Sequence, residues 1–283
     1  MAGRRAGLAA HVRATVDAGV RVLLAEQATA GRADSPESVH QMRVAARRMR
    51  VALRMGGSGL GARAQRLRDE LAWLGSLLGE VRDLDVLWER LGAEATTLAE
   101  SDLPAFGDVL DALQKQRSTA ADELVDALGR PRYRSLLRAL ADEATHPGEP
   151  DLAESATASA DELLVRPLRA LHKAAANPTS DEDWHGLRIK VKRVRYAAEL
   201  AGRLAGRKRR AELGELVGRA KTAQEVLGAF QDTVVAEDHL RRLTKSRLSP
   251  TGWLVLGRLV ERQVARRDAL RERLPEVCRP LTN

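Results

Sequence analysis

Apolar residues recur every three to four positions along nearly the whole chain, in stretches rich in Ala, Leu, Arg and Glu, and the strict alternation that marks strands is almost absent. The pattern predicts an all-α protein. Gly, Pro, Ser and Asn punctuate it at Gly56-Gly57-Ser58-Gly59, Ser101 to Pro104, Gly129-Arg130-Pro131, His146-Pro147-Gly148-Glu149-Pro150, Asn177-Pro178-Thr179 and Ser249-Pro250. Between these breaks the periodicity predicts helices near 6–30, 36–55, 60–78, 80–98, 105–128, 131–144, 152–176, 181–205, 208–227, 229–246 and 250–275. Four tryptophans, Trp73, Trp88, Trp184 and Trp253, read as packing anchors, and His11, His146, His172 and His239 as surface residues.

The helix predicted over 36–55 is the most informative. At 100° per residue, His40, Arg43, Arg47, Arg50 and Arg54 fall within a sector of roughly 80°, and Met42, Ala45, Ala46, Met49 and Leu53 fill the neighbouring apolar sector. One helix thus carries a core face and, beside it, a basic row. From Arg43 to Arg54 that row covers about 16 Å at the helical rise, long enough to line a groove, and its natural ligand is an extended polyanion. Arg48 points about 100° off the row.

The same text is written twice. After Ser35-Pro36-Glu37, a cap with proline at the first helical position, comes His40-x-x-Arg43-x-x-x-Arg47-Arg48-x-Arg50. After Ser180-Asp181-Glu182-Asp183, acids suited to a helix start, comes His185-x-x-Arg188-x-x-x-Lys192-Arg193-x-Arg195, at a constant offset of 145 residues. A second block follows each: Leu78-Gly79-Glu80-Val81-Arg82-Asp83 and Leu227-Gly228-Ala229-Phe230-Gln231-Asp232, offset by 149. The chain therefore reads as two homologous helical halves, 1–145 and 151–283, joined by a linker at 146–150. Such a duplication suggests two pseudo-symmetric bundles whose basic helices face a common central cavity.

Charge agrees with an anionic partner: Lys and Arg number 47 against 39 Asp and Glu, for a net charge of +8. Aromatic residues at 3% argue against a single-stranded nucleic-acid binder, which needs stacking platforms. Cys278 is the only cysteine, so no disulfide forms within the chain and a thiolate zinc site is excluded. Neither a signal peptide nor a membrane span is legible, and a cytoplasmic location is expected.

The segments VHQMRVAARRMR at 39–50, LGEVRDLDVL at 78–87, LRIKVKRVRY at 187–196 and LGAFQD at 227–232, in this order, resemble the conserved histidine α-helical domain, the CHAD family. The resemblance implies two helical bundles with internal symmetry around a basic central cavity, and binding of inorganic polyphosphate. Carried over position by position, it implies contact from His40, Arg43, Arg47, Arg48, Arg50, His185, Arg188, Lys192, Arg193 and Arg195, with Lys221 as a further basic position and Arg82 in the second block. The halves are not equal: Ala72 stands opposite Lys221, and Glu199 opposite Arg54.

Arginine suits the task because its planar fork gives two parallel hydrogen bonds to phosphate oxygens and never loses its charge; lysine acts as a point charge. Asp83 and Asp232 are expected to accept hydrogen bonds from these cations and fix their rotamers, with Asp85 as a further acid nearby. Neither His40 nor His185 has a second histidine or cysteine at metal spacing, so hydrogen bonding at the binding wall is preferred to metal ligation or phosphoacceptor chemistry. Gly79 and Gly228 are expected to permit close helix approach or a bend between consecutive helices. The Arg207-Lys208-Arg209-Arg210 run reads as an exposed turn or as a basic mouth.

The expected function is thus non-catalytic binding of inorganic polyphosphate, without cofactor or metal; recruitment to polyphosphate-rich granules is compatible with it. The alternatives are a general polyanion or nucleic-acid binder and a phosphoryl-handling enzyme. Helix-turn-helix spacing does not support the first, and neither a P-loop nor a carboxylate cluster supports the second.

Overall fold

The periodic segments fold into helices, and the computed structural model describes residues 2–30, 32, 35–55, 61–145 and 161–281. Among the described residues there is no strand, and the α-helices are α1 (Ala2–Glu26), α2 (Pro36–Met55), α3 (Gly61–Glu94), α4 (Leu103–Gly129), α5 (Pro131–Thr145), α6 (Glu162–Ala175), α7 (Asp181–Leu204), α8 (Arg207–Arg242) and α9 (Pro250–Cys278). The segment predicted as a linker, 146–150, and the first part of the helix predicted over 152–176 lie outside the described residues.

The main departure from the sequence reading is shared by both halves. Gly79 and Gly228 do not divide helices: α3 runs unbroken for 34 residues and α8 for 36. A mid-helix glycine costs about 1 kcal/mol relative to alanine, too little to break a helix whose flanking turns are held by packing. Around Gly79 that packing comes from Leu74, Leu78, Val81 and Leu84, all at 0% exposure; around Gly228 it comes from Leu227 and Phe230.

The chain divides into two compact units, Met1–Ala156 and Thr157–Asn283. In the first, α2 packs on α1 and α3, α3 on α4, and α5 closes the bundle against α1, α3 and α4. The apolar sector of α2 forms part of the core: Met42, Ala45, Ala46, Met49 and Leu53 are all buried. Met49 fits against α1 because residue 19 is glycine; a Cβ there would stand 2.5 Å from its sulfur. Two ion pairs tie α5 to α3: Arg132 makes a bidentate pair with Glu70 at 2.7 and 3.0 Å while lying over the Trp73 ring, and Arg63 reaches Glu143 at 3.3 Å. Burial pushes the Glu143 carboxyl above its ordinary range, and Arg63 opposes that.

A third pair crosses from α3 to α4, where Arg117 Nε lies 2.5 Å from Asp85 Oδ1, both side chains buried. Asp85 is therefore a core residue, not a group on the basic face.

In the second unit α7 packs on α6 and α8, and α9 on α8. Leu171, Trp184, Leu187, Val191, Val194, Ala223, Leu227, Phe230 and Leu274 build its main core, with Cys278 inside it. Burial pushes the Cys278 thiol up to about 11, which leaves it protonated and inert near neutral pH. Two readings of single residues are corrected here. His239 is buried at 1% exposure. Trp88 and Trp253 are exposed, whereas Trp184 is buried. The side chain of His11 and all of His146 lie outside the described residues, and His172 is exposed.

Candidate functional site

The basic row of α2 runs along the border between its core face and solvent. His40, Arg43 and Arg50 are half-buried, and Arg47, Arg48 and Arg54 are exposed. This follows from the helix's own geometry: the buried Met42–Met49 stripe fixes its rotation, so the adjacent sector must emerge at the edge. Arg43 is the most constrained. Its guanidinium crosses α3 at Gly79 and ends with Nη2 3.5 Å from Asp83 Oδ1, one helical turn further along α3. Arg82, on the same helix, is half-buried. The expectation of close approach thus describes Gly79 but not Gly228, where an added Cβ meets nothing within 4 Å.

The row of α7 is fixed by its first turn. Ser180 caps the helix, its Oγ accepting from the Asp183 N–H at 3.1 Å, while the Asp183 carboxylate accepts from the Ser180 and Thr179 N–H groups at 2.9 and 3.1 Å. This capping box satisfies N–H groups that the helix start leaves unpaired. Those hydrogen bonds, chiefly from the Ser180 and Thr179 backbone and the Ser180 hydroxyl, hold the Asp183 carboxyl down to about 2. Asp181, in the same turn, pairs with Arg271 at 2.5 Å and Arg267 at 3.3 Å on α9, and Arg267 also meets Glu237 of α8 at 2.6 Å. Buried Trp184 completes the anchoring.

With the turn fixed, His185 projects outward, and its Nδ1 lies 2.6 Å from Gln231 Oε1 on α8. An amide oxygen only accepts, so Nδ1 carries the proton and Nε2 is left for solvent or ligand. One turn further on Arg188 is half-buried, and after a second turn Lys192 is half-buried and Arg193 exposed. Arg195 is held by Gln224 at 2.9 Å and Glu199 at 3.4 Å and lies over the Tyr196 ring. Lys221 and Asp232 are both exposed on α8. Asp83 and Asp232, matched in sequence, thus differ: the first meets a basic-row arginine, the second lies open on the helix surface.

The Arg207–Arg210 run opens α8. Arg210 donates to the carbonyls of Gly202 and Ala205 at 3.0 and 3.3 Å and so caps the end of α7. Arg209 pairs with Glu212 at 2.7 Å and Asp161 at 2.5 Å. Half of the run is therefore spent on structure.

Sequence reasoning missed Gln224 and Gln231, the two amides on α8 that hold the ends of the α7 row. Their seven-residue spacing, with Gly228 between them, is the signal that places them on one face. Among the described residues no group of three His, Cys, Asp or Glu side chains is arranged to hold a metal ion. No helix among them is long and apolar enough to cross a membrane.

Fold and surface define an all-helical protein of two units, each built on a helix with one core face and one basic face. The family model of the CHAD domain matches residues 14–241, and the chain belongs to that family. It is 28% identical over 261 residues to two uncharacterized proteins of Mycobacterium tuberculosis, MT2285 and Rv2226, a match covering 88% of this chain and 49% of each relative. The chain thus spans about half the length of these relatives. Among solved structures, the CHAD domain from the plant Ricinus communis superposes with a TM-score of 0.71 at 23% identity, over 96% of this chain and 91% of that one. PptA from Streptomyces chartreusis gives a TM-score of 0.75 at 22% identity, over 96% and 98%. Both share the all-helical fold.

Proposed function

We propose that the chain binds inorganic polyphosphate without transforming it, through the basic rows of α2 and α7. The observation that carries this reading is the row itself, present once in each unit. On α2, His40, Arg43, Arg47 and Arg50 follow one another along one edge, and on α7 His185, Arg188, Lys192 and Arg195 do the same. Asp83 and Glu199 stand beside Arg43 and Arg195, and a polyanion laid along each row adds to the offset of its like charges. Phosphate oxygens along a polymer match arginines set a turn apart, each fork taking charge-assisted hydrogen bonds. Membership of the CHAD family supports the same ligand class. The reading rests on each row by itself and needs neither cofactor nor metal.

The test is titration with polyphosphate of defined length. Substituting Arg43, Arg47, Arg188 and Lys192 together by alanine is expected to abolish binding and leave the helical circular dichroism intact; retained affinity would remove the site. Affinity should fall steeply with salt, as counterion release requires. DNA of equal charge is expected to compete poorly, and no phosphate should be released with or without magnesium. Efficient DNA competition would favour a general polyanion binder, and metal-dependent phosphate release an enzyme.

A further inference from the structure

The first half of α9 presents an apolar face to solvent. Trp253, Leu254, Gly257, Arg258, Glu261 and Arg262 line one shallow groove along it, and Trp253 and Leu254 keep 39% and 55% of their surface exposed. Folding does not require them there, since the buried side of this helix is made by Val255, Leu256, Leu259, Val260 and Gln263.

The duplicated helix α4 sharpens the point. An offset of 146 residues matches Pro104 with Pro250, buried Val109 with Val255, buried Leu113 with Leu259 and buried Arg117 with Gln263. At the positions of Trp253, Leu254, Gly257 and Glu261, α4 carries Gly107, Asp108, Asp111 and Lys115. The duplicated helix does without large apolar side chains there, so Trp253 and Leu254 on α9 answer to something other than the fold.

We propose that this face is self-complementary and pairs two copies of the chain through antiparallel α9 helices. A twofold axis between Gly257 and Arg258 sets Trp253 opposite Arg262 of the second copy and Leu254 opposite its Glu261, and repeats both contacts by symmetry. The indole ring takes the flat face of the guanidinium, a contact that leaves in-plane hydrogen bonds of that arginine undisturbed. Leu254 covers the methylenes of Glu261, whose carboxylate stays at the rim within reach of the arginines. Gly257 lies at the crossing. A Cβ there meets nothing within 4 Å in its own chain, so no intramolecular contact calls for glycine, while two helices in contact gain from its absence. One helix face per copy is a small interface, so the dimer expected is weak and reversible.

Sedimentation velocity of the full chain without ligand, over a concentration series, tests this. The wild type is expected to shift from monomer to dimer as concentration rises, and Trp253→Ala and Gly257→Leu each to hold it monomeric. Gly257→Leu points into open space and gains helix propensity, so a melting temperature at or above that of the wild type separates loss of pairing from misfolding. The double variant Leu254→Cys/Glu261→Cys is expected to form a covalent dimer on oxidation, the native Cys278 being buried. A wild type that stays monomeric would assign the face to a partner of different sequence and overturn the proposal. So would a dimer indifferent to both single substitutions, or a cysteine pair that does not cross-link.

Discussion

The guanidinium of Arg43 lies across Gly79: a Cβ at that glycine would stand 2.2 Å from Arg43 Nη1, while Nη2 of the same group is 3.5 Å from Asp83 Oδ1. The glycine is a notch in α3 that admits the arginine and brings it to its carboxylate. Any side chain at position 79 must push the guanidinium aside.

Gly79→Ala and Gly228→Ala therefore differ in outcome although the two glycines match in sequence. At Gly228 the methyl meets nothing within 4 Å, so alanine should stabilise the second unit by the helix-propensity difference of about 0.5–1 kcal/mol and leave binding unchanged. At Gly79 the same propensity gain is offset by displacement of a flexible side chain, so the melting temperature should barely move. Polyphosphate affinity should nevertheless fall by roughly tenfold, the worth of one charge-assisted hydrogen bond. Paired thermal melts and titration calorimetry read both. Equal effects of the two substitutions on affinity would show that the notch does not position Arg43.

The buried pair Arg117–Asp85 gives a second contrast between the units. Offsets of 146 and 149 residues match these positions with Gln263 and Val234. Arg117→Ala should cost about 3–5 kcal/mol, because it strands a carboxylate in the core with its Oδ2 already without a hydrogen-bond partner. The double change Asp85→Val/Arg117→Gln removes both charges and installs the pair of residue types found in the second unit. Urea denaturation should place it closer to wild type than Arg117→Ala. A double variant worse than that single substitution would mean the ion pair stabilises the first unit outright.

How much of this was legible in the sequence depends on whether the signal is local. The starts of α2 and α7 follow from Pro36 and the Ser180–Asp183 capping box, chemistry confined to one turn, and periodicity gave the apolar stripe from Met42 to Leu53. The breaks expected at Gly79 and Gly228 failed because a glycine's effect depends on what packs around it. In α3, Leu78 and Val81 hold the helix together on either side. The partners of Arg117, Arg210 and Asp181 were illegible for the same reason, since each is supplied from outside the residue's own helix. The amides opposite His185 and Arg195 sit in plain text, but an isolated glutamine carries no signal until the antiparallel register of α7 and α8 is known.

Acid should loosen the α7 start before the rest of its unit. The Asp183 carboxyl is lowered from 3.8 to about 2 by hydrogen bonds that exist only in the folded helix. A depressed carboxyl stabilises the folded state above its unfolded value and loses that contribution as pH falls through its folded value. The window is therefore between about pH 4 and pH 2. Asp183→Ala should lower the melting temperature at pH 7 and make a much smaller difference at pH 2, with amide exchange at Trp184 and His185 accelerated over wild type mainly at the higher pH. A difference that persists undiminished at pH 2 would assign the effect of the substitution to something other than the charged cap.

The His185–Gln231 contact predicts the tautomer of the ring. With Nδ1–H donated to the amide oxygen, the neutral imidazole turns Nε2 outward. In the first unit the position matching Gln231 is Arg82, a donor that cannot hold Nδ1–H, so His40 lacks this arrangement. Nitrogen-15 NMR of the neutral imidazoles is expected to show His185 in the Nδ1–H form. Gln231→Leu should shift it towards the Nε2–H form and leave His40 unchanged. A wild-type His185 in the Nε2–H form, or a tautomer indifferent to Gln231→Leu, would remove the role given to Gln231.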